Sequence, residues 1–147
     1  MSLIDPPAYK SDRSRAMAFT VAALAVVAIV ALWFTFRYYP EKKATDRFFN
    51  ALVAGDTTQA YQLWKPNPTY AMKDFLADWG PQGYWGPVKS YHIEHATSPK
   101  GSTSIDVTVK VSPYSPMPDP SDVEKSRKTR VVDLWIESGN KSFSFPP

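Results

Sequence analysis

The two histidines of the 147-residue chain are its only imidazoles, and they lie three residues apart at His92 and His95. A histidine beside a carboxylate can act as a general base. The loosely alternating pattern from Val88 to Ala96 predicts that both lie on a strand, where residues three apart face opposite sides. We therefore expect no shared metal site, and either two surface histidines or one general base paired with a carboxylate.

A second group of residues suited to binding is aromatic and surrounds a turn-rich segment at Pro81–Pro87. Aromatic side chains line ligand pockets when a few polar groups accompany them, but they equally fill the open end of a small core. Both interpretations stay open, and the pair between Gly83 and Gly86 is expected to be the more exposed half. The candidate pocket or contact residues are Trp64, Trp79, Tyr84 and Trp85.

A third group is basic and follows a stretch rich in proline and aspartate. Cations close to a bilayer attract anionic headgroups, at about 1 kcal/mol each, and they would also attract an acidic partner. The alternative is a solvated strand edge whose charges deter pairing with another sheet. The candidate contact residues are Lys125, Arg127, Lys128 and Arg130.

Several kinds of chemistry are excluded by what the chain lacks. It has no cysteine, which excludes a disulfide framework, a thiolate zinc site and a cysteine nucleophile. It has no glycine-rich phosphate loop, nucleophile elbow or zinc-ligand spacing. A net charge of only +3 is not typical of a nucleic-acid-binding protein. We expect no catalytic residue, no cofactor, no metal site and no nucleic-acid partner.

An uncharged run, Ala16–Phe36, lies between Arg15 and Arg37. As a helix its 21 residues span roughly 31 Å, which matches a hydrocarbon core of about 30 Å. Aromatic residues gather at its C-terminal end, as in an interfacial belt, and no small-residue cleavage site follows. We predict an uncleaved signal anchor, in which Thr20 and Thr35 return their hydroxyls to carbonyls one turn back.

Basic residues flank this run almost equally on both sides, so the orientation of the anchor depends on the short basic tail. That tail favours a cytoplasmic N-terminus and an extracytoplasmic domain. Within the run, small residues recur at a spacing that lets another helix approach closely, although they are equally compatible with a lipid-facing helix. The candidate helix-packing face is Ala18, Ala22 and Ala25.

The chain divides into segments by its composition and by the spacing of its apolar residues. We predict a disordered tail at 1–15, the transmembrane helix at 16–36, a juxtamembrane linker at 37–43 and a soluble domain at 44–147. Apolar residues at helical spacing predict helices from Lys43 to Ala54, from a cap at Asp56 to Lys65, and from a cap at Asn67–Pro68 to Trp79.

The second half of the domain changes to a period of two residues, which predicts strands. The four predicted strands are Val88–Ala96, Ile105–Val111, Thr129–Glu137 and Ser142–Phe145, with a proline-broken connection before the third. Helices followed by strands indicate an α+β fold, with about three helices packed on a four-stranded antiparallel curved sheet.

The stretch from Phe48 to Tyr61, with its Ala54-Gly55-Asp56 turn and its Ala60-Tyr61 pair, resembles the opening of nuclear-transport-factor-2-like (cystatin-like α+β) domains. The resemblance is to small bacterial members with one membrane anchor. It implies a cone-shaped sheet, inside which enzymatic members place an Asp–His or Tyr–Asp set. The architecture alone, one span and a small α+β domain, also resembles membrane-anchored cytochrome oxidase assembly factors.

Our leading hypothesis is a single-pass membrane protein whose domain is a non-catalytic binding or scaffolding module in an envelope complex. Its expected partners are the lipid bilayer and one or more proteins. One alternative is an accessory or assembly subunit of a larger membrane complex, with the span as its interface. Another is a small-molecule-binding or enzymatic cone, which would require a polar-lined cavity open to solvent.

Overall fold

The computed structural model describes residues 12–147, which divide into two compact units, 12–37 and 38–147. The predicted disordered tail, 1–15, lies outside the described residues up to position 11, and its last four residues, 12–15, are helical instead. In the first unit, helix α1 (Asp12–Phe36) contains the uncharged run. It is long and apolar enough, by length and composition, to cross a membrane.

The two threonines of α1 are bonded as predicted. The Oγ1 of Thr20 donates to the carbonyl of Ala16 at 2.9 Å, and that of Thr35 donates to Ala31 at 2.8 Å. Both hydroxyls are therefore satisfied without water, which an apolar surrounding requires. Every side chain of α1 is exposed, and this includes the candidate packing face of Ala18, Ala22 and Ala25.

The second unit is an α+β domain, as predicted. Its sheet is open and antiparallel, with four strands that neighbour one another in sequence order. Three helices precede the sheet, and a one-turn helix lies in the connection before the third strand. The elements are α2 (Tyr39–Val53), α3 (Thr57–Trp64), α4 (Met72–Trp79), β1 (Ser90–Thr97), β2 (Ser104–Ser112), α5 (Val123–Ser126), β3 (Arg130–Glu137) and β4 (Phe143–Ser144).

Helix α2 begins four residues earlier than predicted. The segment predicted as a linker, 37–43, is helical from Tyr39 onward. Pro40 lies in the first turn of α2, where the N–H that proline lacks has no intrahelical acceptor in any case. Pro40 therefore belongs to the start of a helix and not to a linker.

The prediction that the third helix of the domain begins at Asn67–Pro68 is wrong, because α4 begins at Met72. The Oδ1 of Asn67 instead accepts the backbone N–H groups of Thr69 and Tyr70, each at 3.0 Å, which closes a turn. The N-terminus of α4 has its own cap, in which the carboxylate of Asp74 accepts the N–H of Ala71 at 3.2 Å.

The expectation that His92 and His95 lie on opposite faces is also wrong. His92 pairs with Lys110 and His95 with Thr108, with a register shift between Ile93 and His95. Since Lys110 and Thr108 are two residues apart on β2, both histidines lie on the same face. A bulge inserts one extra residue and resets the alternation, which the spacing of the histidines does not reveal.

The core lies between the helices and one face of the sheet. Phe48 of α2 is fully buried at its centre, with the rings of five aromatic residues at centroid distances of 5.1–6.2 Å. The buried face of the sheet consists of the aliphatic residues of β2 and β3 that alternate inward. These are Ile105, Val107, Val109, Val111, Val132, Leu134 and Ile136.

Candidate functional site

The loop that follows α4 is held by the end of that helix. The last carbonyls of a helix have no intrahelical donor, and the loop supplies donors for two of them. The N–H of Tyr84 donates to Ala77 O at 2.9 Å, and that of Trp85 donates to Asp78 O at 2.7 Å. The backbone hydrogen bonds of Tyr84 and Trp85 therefore hold both residues against the end of α4.

Two glycines allow this close approach. A Cβ on Gly83 would lie 2.8 Å from the carbonyl of Asp78, and a Cβ on Gly86 would lie 1.9 Å from the carbonyl oxygen of Gly80. Both distances are shorter than a non-bonded carbon can accept. The glycines on either side of Tyr84 and Trp85 are therefore a steric requirement of the loop.

The four candidate aromatic residues divide into two pairs. Trp64 and Trp79 are only 3% and 2% exposed and belong to the core, whereas Tyr84 is 65% exposed. Trp85 is half-buried, with its ring stacked at 6.1 Å from that of Trp79. The loop pair is the more exposed one, as expected, and Trp85 connects it to the core.

The candidate basic residues also divide. Lys125 of α5 forms an ion pair with Asp122 at 3.6 Å and lies 5.7 Å from the centre of the Tyr114 ring. The other three, Arg127, Lys128 and Arg130, line a common cavity. Among the described residues, no carboxylate lies within ion-pair distance of any of these three.

The aromatic loop and the basic segment meet at this cavity, which has a volume of about 420 Å³. The guanidinium of Arg130 lies 4.7 Å above the Tyr84 ring and donates to the Tyr84 carbonyl. Pairing of Arg130 with Val111 across β2 and β3 brings the basic segment there. We call this site the cationic cavity; its lining is Trp85, Gly86, Pro87, Val111, Pro113, Arg127, Lys128 and Arg130.

The lining of the cationic cavity has the chemical groups that suit an anion. Guanidinium groups bind carboxylates and phosphates through paired N–H donors, and the indole and prolines supply apolar contact. None of the lining residues carries a carboxylate, an imidazole or a hydroxyl.

No family model, no curated protein and no solved structure matches this chain.

A polar cluster lies elsewhere, on the face of the sheet opposite the core. The Oγ1 of Thr108 donates to Asp133 Oδ1 at 2.6 Å and lies 3.2 Å from His95 Nε2. Because the hydroxyl has a single proton, it must accept the bond from His95. Neither hydroxyl nor imidazole is free to act as a base through these atoms. Within residues 12–147, no group of three or more histidine, aspartate or glutamate side chains is placed to hold a metal ion.

Asp106 lies beside the same cluster, where burial disfavours the charged form of its carboxyl. Burial and the neighbouring Asp133 raise the pKa of its carboxyl, against a smaller opposing effect of His95. Its Oδ1 has no hydrogen-bond partner. A raised pKa means that the folded state favours the protonated acid, so stability is lost as pH rises above the unfolded value of about 3.9.

Asp106→Asn is therefore expected to increase the free energy of unfolding at pH 7. The gain should shrink as pH falls below about 4, where the unfolded acid is also neutral. Urea unfolding at several pH values measures both. A variant less stable than the parent at pH 7, or an equal gain at pH 3 and pH 7, would contradict the assignment.

Sequence reasoning missed how these polar residues are grouped, although part of the signal was present. Asp106 and Thr108 alternate with buried valines, which already places them on the outer face of β2. The contact of Thr108 with Asp133 and His95 depends on strand register and on the bulge, and neither follows from composition.

Proposed function

We propose that this chain is a single-pass membrane protein in which α1 anchors a non-catalytic binding module. The module holds an acidic segment of a partner protein in the cationic cavity. The length and composition of α1 support the anchor. One observation supports the binding role above all: three cations without carboxylate partners meet an aromatic loop at one cavity.

A protein segment suits this cavity better than a small free anion. Arginine and aromatic residues are enriched in the centres of protein interfaces, where they contribute most of the binding energy. Here Arg130 lies against Tyr84, and Trp85, Pro87 and Pro113 provide apolar surface beside the charges. An acidic side chain next to an apolar one would satisfy both kinds of surface.

The filled interior of the domain supports a non-catalytic role. A cone-shaped enzyme or carrier needs a polar cavity under the sheet, but that space is occupied by aromatic side chains. Phe48, Phe75 and Trp79 are buried there. The Phe48 ring contacts the rings of Phe75 and Trp79 edge to face, so aromatic side chains fill the space between helices and sheet.

The proposal includes the orientation of the chain in the membrane. We place the N-terminus in the cytoplasm and the domain outside, on the basis of Arg13 and Arg15 before the span. Protease digestion of the domain in inverted vesicles would reverse that assignment.

Membership of the nuclear-transport-factor-2-like superfamily is a further part of the proposal. It is supported by helices followed by a four-stranded antiparallel sheet, although no strand separates α2, α3 and α4 in the described residues.

Site-specific photo-crosslinking tests the binding role. A photoreactive residue at Tyr84, on the edge of the cationic cavity, is expected to crosslink in native membranes to a protein at an acidic segment, which peptide mapping identifies. The same residue at Thr97, at the far end of β1, serves as the control. Adducts with lipid alone at Tyr84, or no adduct, would contradict the proposal.

Removing the charges should weaken this crosslink. Arg127→Gln with Lys128→Gln is expected to lower the yield roughly fivefold, because two exposed ionic contacts of about 0.5 kcal/mol each contribute about 1 kcal/mol together. Lys73→Gln with Lys100→Gln removes two exposed lysines away from the cavity and should leave the yield unchanged. Equal yields from both double variants would show that charge at the cavity does not recruit the partner.

A further inference from the structure

A second cationic groove lies at the beginning of the domain, away from the cationic cavity. It has a volume of about 310 Å³ and is formed by the first turns of α2, the end of α3 and the turn before β4. Apolar side chains and cations share its walls. We call it the α2–α3 groove; its lining is Pro40, Lys43, Ala44, Arg47, Leu63, Lys65, Lys141 and Phe143.

The charges of the α2–α3 groove are mostly uncompensated. Lys141 is neutralised by Glu41, whose carboxylate is buried and lies 3.0 Å from the Lys141 amine. Lys43, Arg47 and Lys65 have no carboxylate within ion-pair distance among the described residues. The lining contains no acidic residue, so these three basic residues border the groove without a neutralising carboxylate. The Lys43 amine lies 5.9 Å from the centre of the Tyr39 ring, and its flexible side chain can turn toward a ligand in the groove.

The backbone around this groove is held in a disfavoured conformation. Lys65 has a φ of 52° and Lys141 a φ of 59°, and they are the two non-glycine residues with positive φ in the described chain. Such conformations persist where the surrounding structure enforces them, often at binding sites. The Lys65 amine also donates to the carbonyl of Asn140, which ties the end of α3 to the turn before β4.

The position of the groove in the chain indicates its ligand. Lys43 follows Phe36, the last residue of the apolar run, by seven positions, and Arg47 follows it by eleven. Basic residues this close to a span lie where headgroups are found, and clusters of them bind anionic lipids. Lys43 and Arg47, one turn apart, lie on the same side of α2.

We propose that the α2–α3 groove binds the phosphate of an anionic phospholipid headgroup, with Lys43, Arg47 and Lys65 as its donors. The apolar walls at Pro40, Leu63 and Phe143 receive the adjoining glycerol and upper acyl carbons. This site rests on the anchoring role of α1, but it is independent of the cationic cavity and of any protein partner.

Lysine acetylation followed by mass spectrometry tests the site in the full chain. The chain is incorporated into nanodiscs of phosphatidylcholine with increasing phosphatidylglycerol. Lys43 and Lys65 are expected to become protected as the anionic lipid increases, while Lys73 and Lys100 react at a constant rate. With Arg47→Gln, protection of Lys65 should require roughly fivefold more phosphatidylglycerol, because one cation near the surface is lost.

The possible outcomes distinguish a failure of the lipid site from a failure of the anchor. They also distinguish a lipid headgroup from free phosphate as the ligand. If the chain fails to enter nanodiscs at all, the anchor is wrong and this proposal falls with it. If the chain enters but Lys65 reacts equally in neutral and anionic nanodiscs, only the lipid site is overturned. Protection by inorganic phosphate in neutral nanodiscs, to the same extent, would overturn the headgroup as the ligand.

Discussion

Phe48→Ala is expected to lower the free energy of unfolding of the second unit by about 3–5 kcal/mol, as for other fully buried phenylalanines. Small domains are stable by only about 5–15 kcal/mol, so this change removes a large fraction of the total. Urea unfolding of the full chain, followed by tryptophan fluorescence, measures it.

The size of this effect follows from where Phe48 lies. Its ring contacts Trp64 and Trp79 from the helices and Phe143 from β4, each at a centroid distance of 5.2 Å. Truncation would open a cavity bounded by α3, α4 and the sheet, and rigid rings on each side cannot collapse into it.

Val53→Ala provides a matched control for this prediction. Val53 lies on the same helix and is exposed, so its truncation should change the free energy of unfolding by no more than about 0.5 kcal/mol. A loss below about 1.5 kcal/mol for Phe48→Ala would mean that the helices are not packed on the sheet as described, because core truncations of this size cost at least twice that.

The burial of Phe48 was predicted correctly because helical periodicity depends only on residues close together in the sequence. Phe48 and Leu52 are one turn apart and both are buried, and the alternation of β2 likewise predicted its buried valines. Caps depend on a single side chain and are harder to predict. Asp56 caps α3 by accepting the N–H of Gln59, whereas Asn67, of an equally suitable type, closes a turn.

The candidate site was predictable in its parts but not in its assembly. Composition identified the Tyr84–Trp85 loop and the basic segment as separate contact candidates. Their meeting depends on the register that pairs Arg130 with Val111, and such long-range pairing is specified by packing over the whole sheet. For the same reason, the bulge that brings His92 and His95 to one face was not predictable from their spacing.

Gly86→Ala is expected to disrupt the cationic cavity while leaving the core in place. The new Cβ would lie 1.9 Å from the carbonyl oxygen of Gly80, and that partner is backbone, so it cannot rotate away. The loop must shift, and Trp85 loses its stacked position against Trp79. We expect a loss of about 1–3 kcal/mol in the free energy of unfolding, as for other overpacked sites.

We expect Gly86→Ala to reduce partner binding more than its loss of stability alone would. This difference would distinguish a defect of the site from unfolding of the domain. At a temperature where Gly86→Ala is still folded, crosslinking from Tyr84 is expected to disappear, because the loop no longer holds Tyr84 and Trp85 beside Arg130. Gly139→Ala is the matched control, since its Cβ would meet nothing within 4 Å, and it should retain both stability and crosslinking. Full crosslinking by folded Gly86→Ala would show that the partner does not need the loop geometry, because the clash with Gly80 makes that geometry inaccessible to alanine.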